Sequence, residues 1–255
     1  MTTRIIAIAN QKGGVGKTSL AINAAAAITE QGKRVLLVDI DPQSNCTRGV
    51  GVEATAHGTT ELLLFEGPQG HPDPASLIQQ TKIENLHLIP SSLKLARAEL
   101  HLSQRIGGDR VLAKALAQIQ GYDFILIDCP PSLGRLTLNA LTAATHVLIP
   151  IQLQRWALEG AQELEETMQL VHDNLNPELR LLGIVGTFAN ATVLSRELLD
   201  TLRDRYGSNM FETLIKTSTK MGESAAAEMP VTLYEPASDS AQSFRDLSVE
   251  ILQRP

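Results

Sequence analysis

Arg4-Ile5-Ile6-Ala7-Ile8-Ala9-Asn10-Gln11-Lys12-Gly13-Gly14-Val15-Gly16-Lys17-Thr18-Ser19 opens as an apolar run and passes through three glycines into Gly-Lys-Thr-Ser. Residues 4–10 have the length and Ile/Ala content of a buried strand. The Ala-rich residues 19–31 read as a helix that Gly32 stops. A strand, a glycine loop and a helix in that order make a phosphate cradle. Glycines let the backbone close around phosphate oxygens, and loop N–H groups and the helix N-terminus face the negative charge. Gln11, Lys12, Gly13, Gly14, Val15, Gly16, Lys17, Thr18 and Ser19 are therefore the candidate nucleotide-binding residues. Lys17 is placed to reach the β- and γ-phosphates, and the Thr18 hydroxyl is an oxygen ligand of the kind Mg2+ takes. The strict pattern has a glycine five residues before Gly16. Here Gln11 stands there, followed by a second lysine, Lys12.

Working outward, residues 34–39 (RVLLVD) form the next strand and complete a βαβ unit, whose crossover is right-handed. It runs into Ile40-Asp41-Pro42-Gln43-Ser44-Asn45, with Asp39 and Asp41 at the carboxyl end of the strand, where open α/β sheets bind ligands. Asp and Pro also favour a plain turn there. The third motif is Phe124-Ile125-Leu126-Ile127-Asp128-Cys129-Pro130-Pro131-Ser132. Four apolar residues ending in an acid form a Walker B strand, and Asp128 would hold Mg2+ through water.

The rest of the chain keeps alternating. Strands are expected at residues 86–89, at 146–149 ended by Pro150, and at 180–188; helices at 109–120, 136–144, 157–175, 195–206 and 240–252. Residues 49–70 read as irregular, with a short helix near 62–65. The expected fold class is α/β: one P-loop NTPase domain over residues 1–255, a mostly parallel twisted sheet flanked by helices on both faces.

Composition sets limits on function. Aromatic residues are only 4%, so Ala, Leu, Ile and Val must build the core, as in a buried parallel sheet. The net charge of -6 excludes a uniformly basic nucleic-acid coat, so any DNA contact is a local patch. Cys46 and Cys129 form no disulfide framework or metal spacing and read as small buried side chains in a reducing cytoplasm. The first apolar run, about six residues, is too short for a signal peptide or membrane span.

The box KGGVGKT, with VDIDPQ and DCPPS behind it, resembles the deviant Walker A P-loop ATPases of the ParA/MinD family, and VLIPIQLQRWALEG and the 229–252 tail are similar to its short ParA/Soj group. The resemblance implies an ATP- and Mg2+-dependent ATPase with Lys12, Lys17 and Asp41 as catalytic residues and Thr18, Asp39 and Asp128 around the metal. It implies that Lys12 crosses a dimer interface to the partner's phosphates, that Asp41 positions the attacking water and that Asp39 supports the Mg2+ shell. It further implies a homodimer formed with ATP, non-specific DNA as its track, and a ParB-like or cargo-adaptor protein that stimulates hydrolysis. Its place would be the cytoplasm, associated with the nucleoid and not with a membrane.

This chain departs from the group where DNA and adenine contacts are expected: Asn190-Ala191-Thr192 and Ile215-Lys216-Thr217-Ser218 lack the family's arginines. Arg196, Arg203, Arg205, Lys216 and Lys220 are the candidate substitutes. They read equally as a solvated helix face, with Glu197, Asp200 and Asp204 among them. Trp156 reads as a packing residue or a partner contact. A membrane-surface positioning ATPase and a metabolic P-loop ligase are the rival functions. The last segment, residues 244–255, carries two acids and few cations, so packing on the domain is expected over lipid binding.

Overall fold

The computed structural model describes residues 3–64, 72–154 and 157–255, with side chains left aside at 157–160. In chain order the strands are β1 (Arg4–Ile8), β2 (Val35–Asp39), β3 (Gln79–Gln80), β4 (Leu86–Ile89), β5 (Phe124–Asp128), β6 (His146–Gln152), β7 (Arg180–Ala189) and β8 (Ile215–Lys216). The helices are α1 (Lys17–Glu30), α2 (Asn45–Gly49), α3 (Thr59–Leu64), α4 (Ala98–Gln104), α5 (Val111–Leu116), α6 (Arg135–Ala143), α7 (Ala157–Asn174), α8 (Val193–Tyr206), α9 (Thr219–Ala226), α10 (Val231–Tyr234) and α11 (Asp239–Gln253).

One sheet orders the described strands β3-β4-β2-β5-β1-β6-β7-β8, all parallel except β3 against β4. Side chains alternate between two apolar layers with the strand period of two. Ala7 of β1 and Ala9 just after it join the layer of α3 to α8, while Ile6 and Ile8 join that of α1, α10 and α11. Helix α1 buries Ala21, Ala24, Ala25, Ala26 and Ala27, whose small side chains let it lie close between the sheet and α11. The apolar face of α11 (Phe244, Leu247, Ile251) is fully buried, so the helix packs on the domain as expected. Among the described residues no helix is long and apolar enough to cross a membrane.

Three expectations need correction. Pro150 does not end β6, which continues to Gln152. Its ring nitrogen faces the β1 side, where β1 has already finished; the Asn10 side chain donates to the Pro150 carbonyl instead (2.8 Å), so no ladder bond is lost. The helix expected over 109–120 is a tight turn at Gly108–Arg110 followed by α5. The Asn139 amide splices into this junction, donating to the Gly108 carbonyl (2.7 Å) and accepting from Leu112 N (3.1 Å). Helices α2, α4, α9 and α10 and the two-residue strands β3 and β8 fall outside the expected elements. The short helix expected near 62–65 is α3; Phe65 and Trp156 lie outside the described residues.

Candidate nucleotide site

The carboxyl ends of β1, β2 and β5 converge on residues 10–18. Gly14 (φ 75°) and Gly16 (φ 89°) take left-handed backbone, which a side chain would strain. Gly16 is the N-cap of α1, and its carbonyl accepts from Leu20 N (2.8 Å). The loop is fixed from three sides. Lys12 N donates to Asn10 Oδ1 (2.9 Å), Thr187 Oγ1 on β7 donates to the Val15 carbonyl (2.8 Å), and Pro131 flanks Gly13. Lys17 Nζ donates to the Lys12 carbonyl (3.1 Å), folded over the cradle it would otherwise extend across. Burial lowers its ammonium pKa, opposed by the charge of Asp128. The Lys12 side chain is half-buried, and no hydrogen bond or ion pair among the described residues engages its ammonium.

Three carboxylates face this loop. Asp39 and Asp128 are register partners on adjacent strands, both fully buried. Thr18 Oγ1 donates to Asp128 Oδ2 (2.8 Å), and Asp128 Oδ1 is buried without a partner among the described residues. Asp39 is engaged on both oxygens: Oδ1 accepts from Asp41 N (3.0 Å), and Oδ2 from Thr47 N (2.8 Å) and Thr47 Oγ1 (2.6 Å). Asp39 therefore holds the turn over residues 41–47. Asp41 Oδ1 accepts from Gln43 N (2.9 Å), and Asp41 Oδ2 has no donor among the described residues. Burial pushes Asp39 up to about 6 and Asp128 well above the ordinary carboxylate range, each raised further by its acidic neighbours.

These groups fit Mg2+. Among the described residues no three His, Cys, Asp or Glu form a metal cage, but Mg2+ needs only one or two protein oxygens beside waters and phosphates. Thr18 and the orphaned Asp128 Oδ1 could supply them, and a divalent cation would offset the crowding of Asp39, Asp41 and Asp128. Beside Gly16 a largely apolar cavity of about 340 Å³ is lined by Leu20, Phe188, Thr217, Met221 and Phe244, with dimensions suited to a nucleobase. Phe188 (φ 51°) sits where the β7–β8 register shifts, and that strained bulge turns its ring against Gly16.

Sequence reasoning missed Thr47, Ser91 and Phe188. Ser91 Oγ donates to the Asp41 carbonyl (2.8 Å) and Ser91 N to Thr47 Oγ1 (3.0 Å). A hydroxyl at the right spacing after VDIDPQ was the available signal for Thr47; nothing local marked Ser91. Cys46 and Cys129 are buried, as expected, and burial pushes both thiols up, away from reactivity.

An AAA-domain family model matches residues 3–181. The sporulation initiation inhibitor protein Soj of Bacillus subtilis is 40% identical over 250 residues, covering 97% of this chain and 98% of that one. The chromosome-partitioning ATPase Soj of Thermus thermophilus is 41% identical over 252 residues, 98% of this chain and 96% of that one. This chain belongs to the ParA/Soj family of partition ATPases. Among solved structures, one described as cobyrinic acid a,c-diamide synthase from Mycobacterium smegmatis with bound ADP and magnesium has a TM-score of 0.83 and 36% identity, covering 99% of this chain and 95% of that one.

The five expected DNA-contacting cations of this ParA/Soj-type chain are scattered and mostly engaged. Arg203 pairs with Glu212 (3.2 Å), Arg205 with Glu165 (2.9 Å) and Lys220 with Glu223 (2.9 Å). Lys216 lines the apolar cavity rather than the α8 face, and Arg196 is exposed without a partner among the described residues.

Proposed function

We propose that this protein is an ATP- and Mg2+-dependent ATPase that dimerises on ATP and, as the dimer, moves or anchors a cargo on DNA. The observation that carries the reading is the pair of lysines. Lys17 is folded onto its own cradle, while Lys12, on the same loop, has no partner among the described residues of its own chain. An ammonium left free beside a phosphate site is suited to a second subunit's triphosphate, and charges supplied to phosphoryl transfer in this way are worth about 10³–10⁵ in rate. In this reading Thr18 and Asp128 hold Mg2+, Asp41 orients the attacking water, and Asp39 with Thr47 holds Asp41 in place. Bound Mg2+ neutralises charge on the β- and γ-phosphates. A ParB-like or adaptor protein accelerates the step.

DNA retention tests the reading. Random duplex should be held with ATP and Mg2+, released without nucleotide, and released as salt rises, because phosphate contacts displace counterions. The exposed pairs of Arg203, Arg205 and Lys220 cost little to exchange for phosphate, because water already screens them. Equal retention without nucleotide, or none at low salt, refutes the DNA-based mechanism. The likeness to a protein named as a diamide synthase favours one other reading, an amide-forming ligase. ATP turnover that requires a small carboxylic acid and an amine donor would select it.

A further inference from the structure

Helix α11 reaches beyond the apolar layer it covers. Glu250 in its last turn and Arg254 just after it stand four residues apart, on one side of the helix. Both turn to the connector between α8 and β8, residues 207–214. Arg254 Nη1 donates to the carbonyls of Leu182 (2.8 Å) and Asn209 (3.1 Å), and Nη2 to that of Met210 (2.9 Å). The guanidinium carbon lies 3.6 Å from the centre of the Phe211 ring, a cation held over an aromatic face. Glu250 Oε2 accepts from Glu212 N (3.0 Å), and Oε1 from Thr213 N (2.8 Å) and the Thr213 hydroxyl.

These bonds join two strands that the ladder alone holds loosely. On β7, Leu181 faces Val147 and Gly183 faces Leu148, so Leu182 is the extra residue of a bulge. A bulge leaves such a residue outside the ladder, and Arg254 takes its carbonyl. Gly183 (φ 156°) leaves room for the guanidinium, because a Cβ there would collide with Nη1. The connector itself meets β7 through Phe211 N, which donates to the Ile184 carbonyl (2.9 Å). Both strands then run on to the base-sized cavity beside Gly16. β7 brings Thr187 and Phe188 to it, β8 and the residues after it bring Ile215 and Thr217, and α11 adds Phe244.

We infer that Arg254 and Glu250 are positioning residues for the nucleobase, clasping the β7 and β8 walls of the cavity to α11 so that its shape is set before nucleotide arrives. The inference rests on the nucleotide-site reading above. A preformed wall spares the ordering cost that binding would otherwise carry. None of the bonds made by these two side chains goes to β1, α1 or the phosphate loop, so the clasp acts on the base and not on the phosphates. Arginine is required at 254 because a planar fork serves three carbonyls and a ring at once, which the point charge of a lysine does not.

The test is calorimetric titration of the full chain with Mg2+ and either ATP or inorganic tripolyphosphate, well below the Tm of each variant. Arg254→Ala should weaken ATP by about five-fold or more, the lower end of what stacking of a base is worth, and leave tripolyphosphate within about two-fold of wild type. Arg254→Lys should not restore ATP affinity. Glu250→Gln, which keeps one acceptor oxygen, should show a smaller loss confined to ATP, and it carries the test if Arg254→Ala does not fold. Unchanged ATP affinity, or equal loss of ATP and tripolyphosphate, overturns the proposal, since general loosening would not distinguish the two ligands. Full affinity in Arg254→Lys overturns it too. Wild type that binds neither ligand refutes the nucleotide site itself, whereas wild type that binds both, with the same ratio in the variants, refutes only the clasp.

Discussion

Thr47→Val separates the hydroxyl that locks the acidic turn from the packing around it. Thr47 is fully buried, and Val keeps its shape. Two bonds disappear: Thr47 Oγ1 no longer donates to Asp39 Oδ2 (2.6 Å), and Ser91 N loses its acceptor (3.0 Å). The bond to a carboxylate contributes about 1.5–3 kcal/mol, and leaving the fully buried Ser91 N–H unsatisfied costs about 1–3 kcal/mol. The sum is about 2.5–6 kcal/mol, which at about 2–4 °C per kcal/mol lowers Tm by roughly 5–24 °C in a chain of this size. The same change frees the carboxylate that holds Asp41 N (3.0 Å), so kcat should fall by roughly ten-fold or more with little change in KM, as small misplacements of reacting groups do. Scanning calorimetry and steady-state ATP hydrolysis read the two effects, and Thr47→Ser, which keeps the hydroxyl, should show neither in full. A Thr47→Val protein with Tm within about 2 °C of wild type and unchanged kcat would refute the coupling of Thr47 to Asp41.

Lys17→Ala should abolish ATP binding by titration with a fluorescent analogue; ordinary affinity in that variant removes the phosphate-loop assignment. Phe188→Ala should weaken ATP by about 1–3 kcal/mol, the range for stacking on a base, and should weaken pyrophosphate not at all; equal loss of both would remove the base from its cavity. Asp39 has a folded pKa of about 6 against an ordinary 3.8, so its contribution to the stability of the nucleotide-free protein is fully present below about pH 3.8 and lost as pH rises through about 6. Tm without nucleotide should therefore rise on going from about pH 8 to pH 5.5, and Mg2+ with ATP, which require the ionised acids, should remove that rise; an apo Tm flat across the window contradicts it.

The central βαβ unit was legible because its signals are local. An apolar run of strand length, glycines at a turn that needs left-handed backbone at Gly14 and Gly16, and an acid ending each of β2 and β5 lie within short windows. Strand β6 was cut short in the sequence reading because Pro150 blocks a ladder bond only where a neighbour needs one, and where β1 ends is a tertiary fact. Helix α9 escaped notice because Gly222 interrupts it and it buries little apolar surface of its own. The acidic turn was half legible. Asp39 and Asp41 announce themselves, but the hydroxyls that aim them come from residues 47 and 91, brought together only when β2 and β4 pair. The cations of α8 and α9 looked available in the sequence because Arg205 meets Glu165 and Arg203 meets Glu212 only once separate elements pack together, although Glu223, the partner of Lys220, lies one turn away on its own helix.

The most direct measurement is the sedimentation of two hydrolysis-impaired variants with ATP and Mg2+. Asp41→Ala should run as a dimer, and Asp41→Ala carrying Lys12→Ala should run as a monomer that still binds ATP. A stable dimer without the Lys12 ammonium would contradict a mechanism in which that group joins the two subunits across their nucleotides.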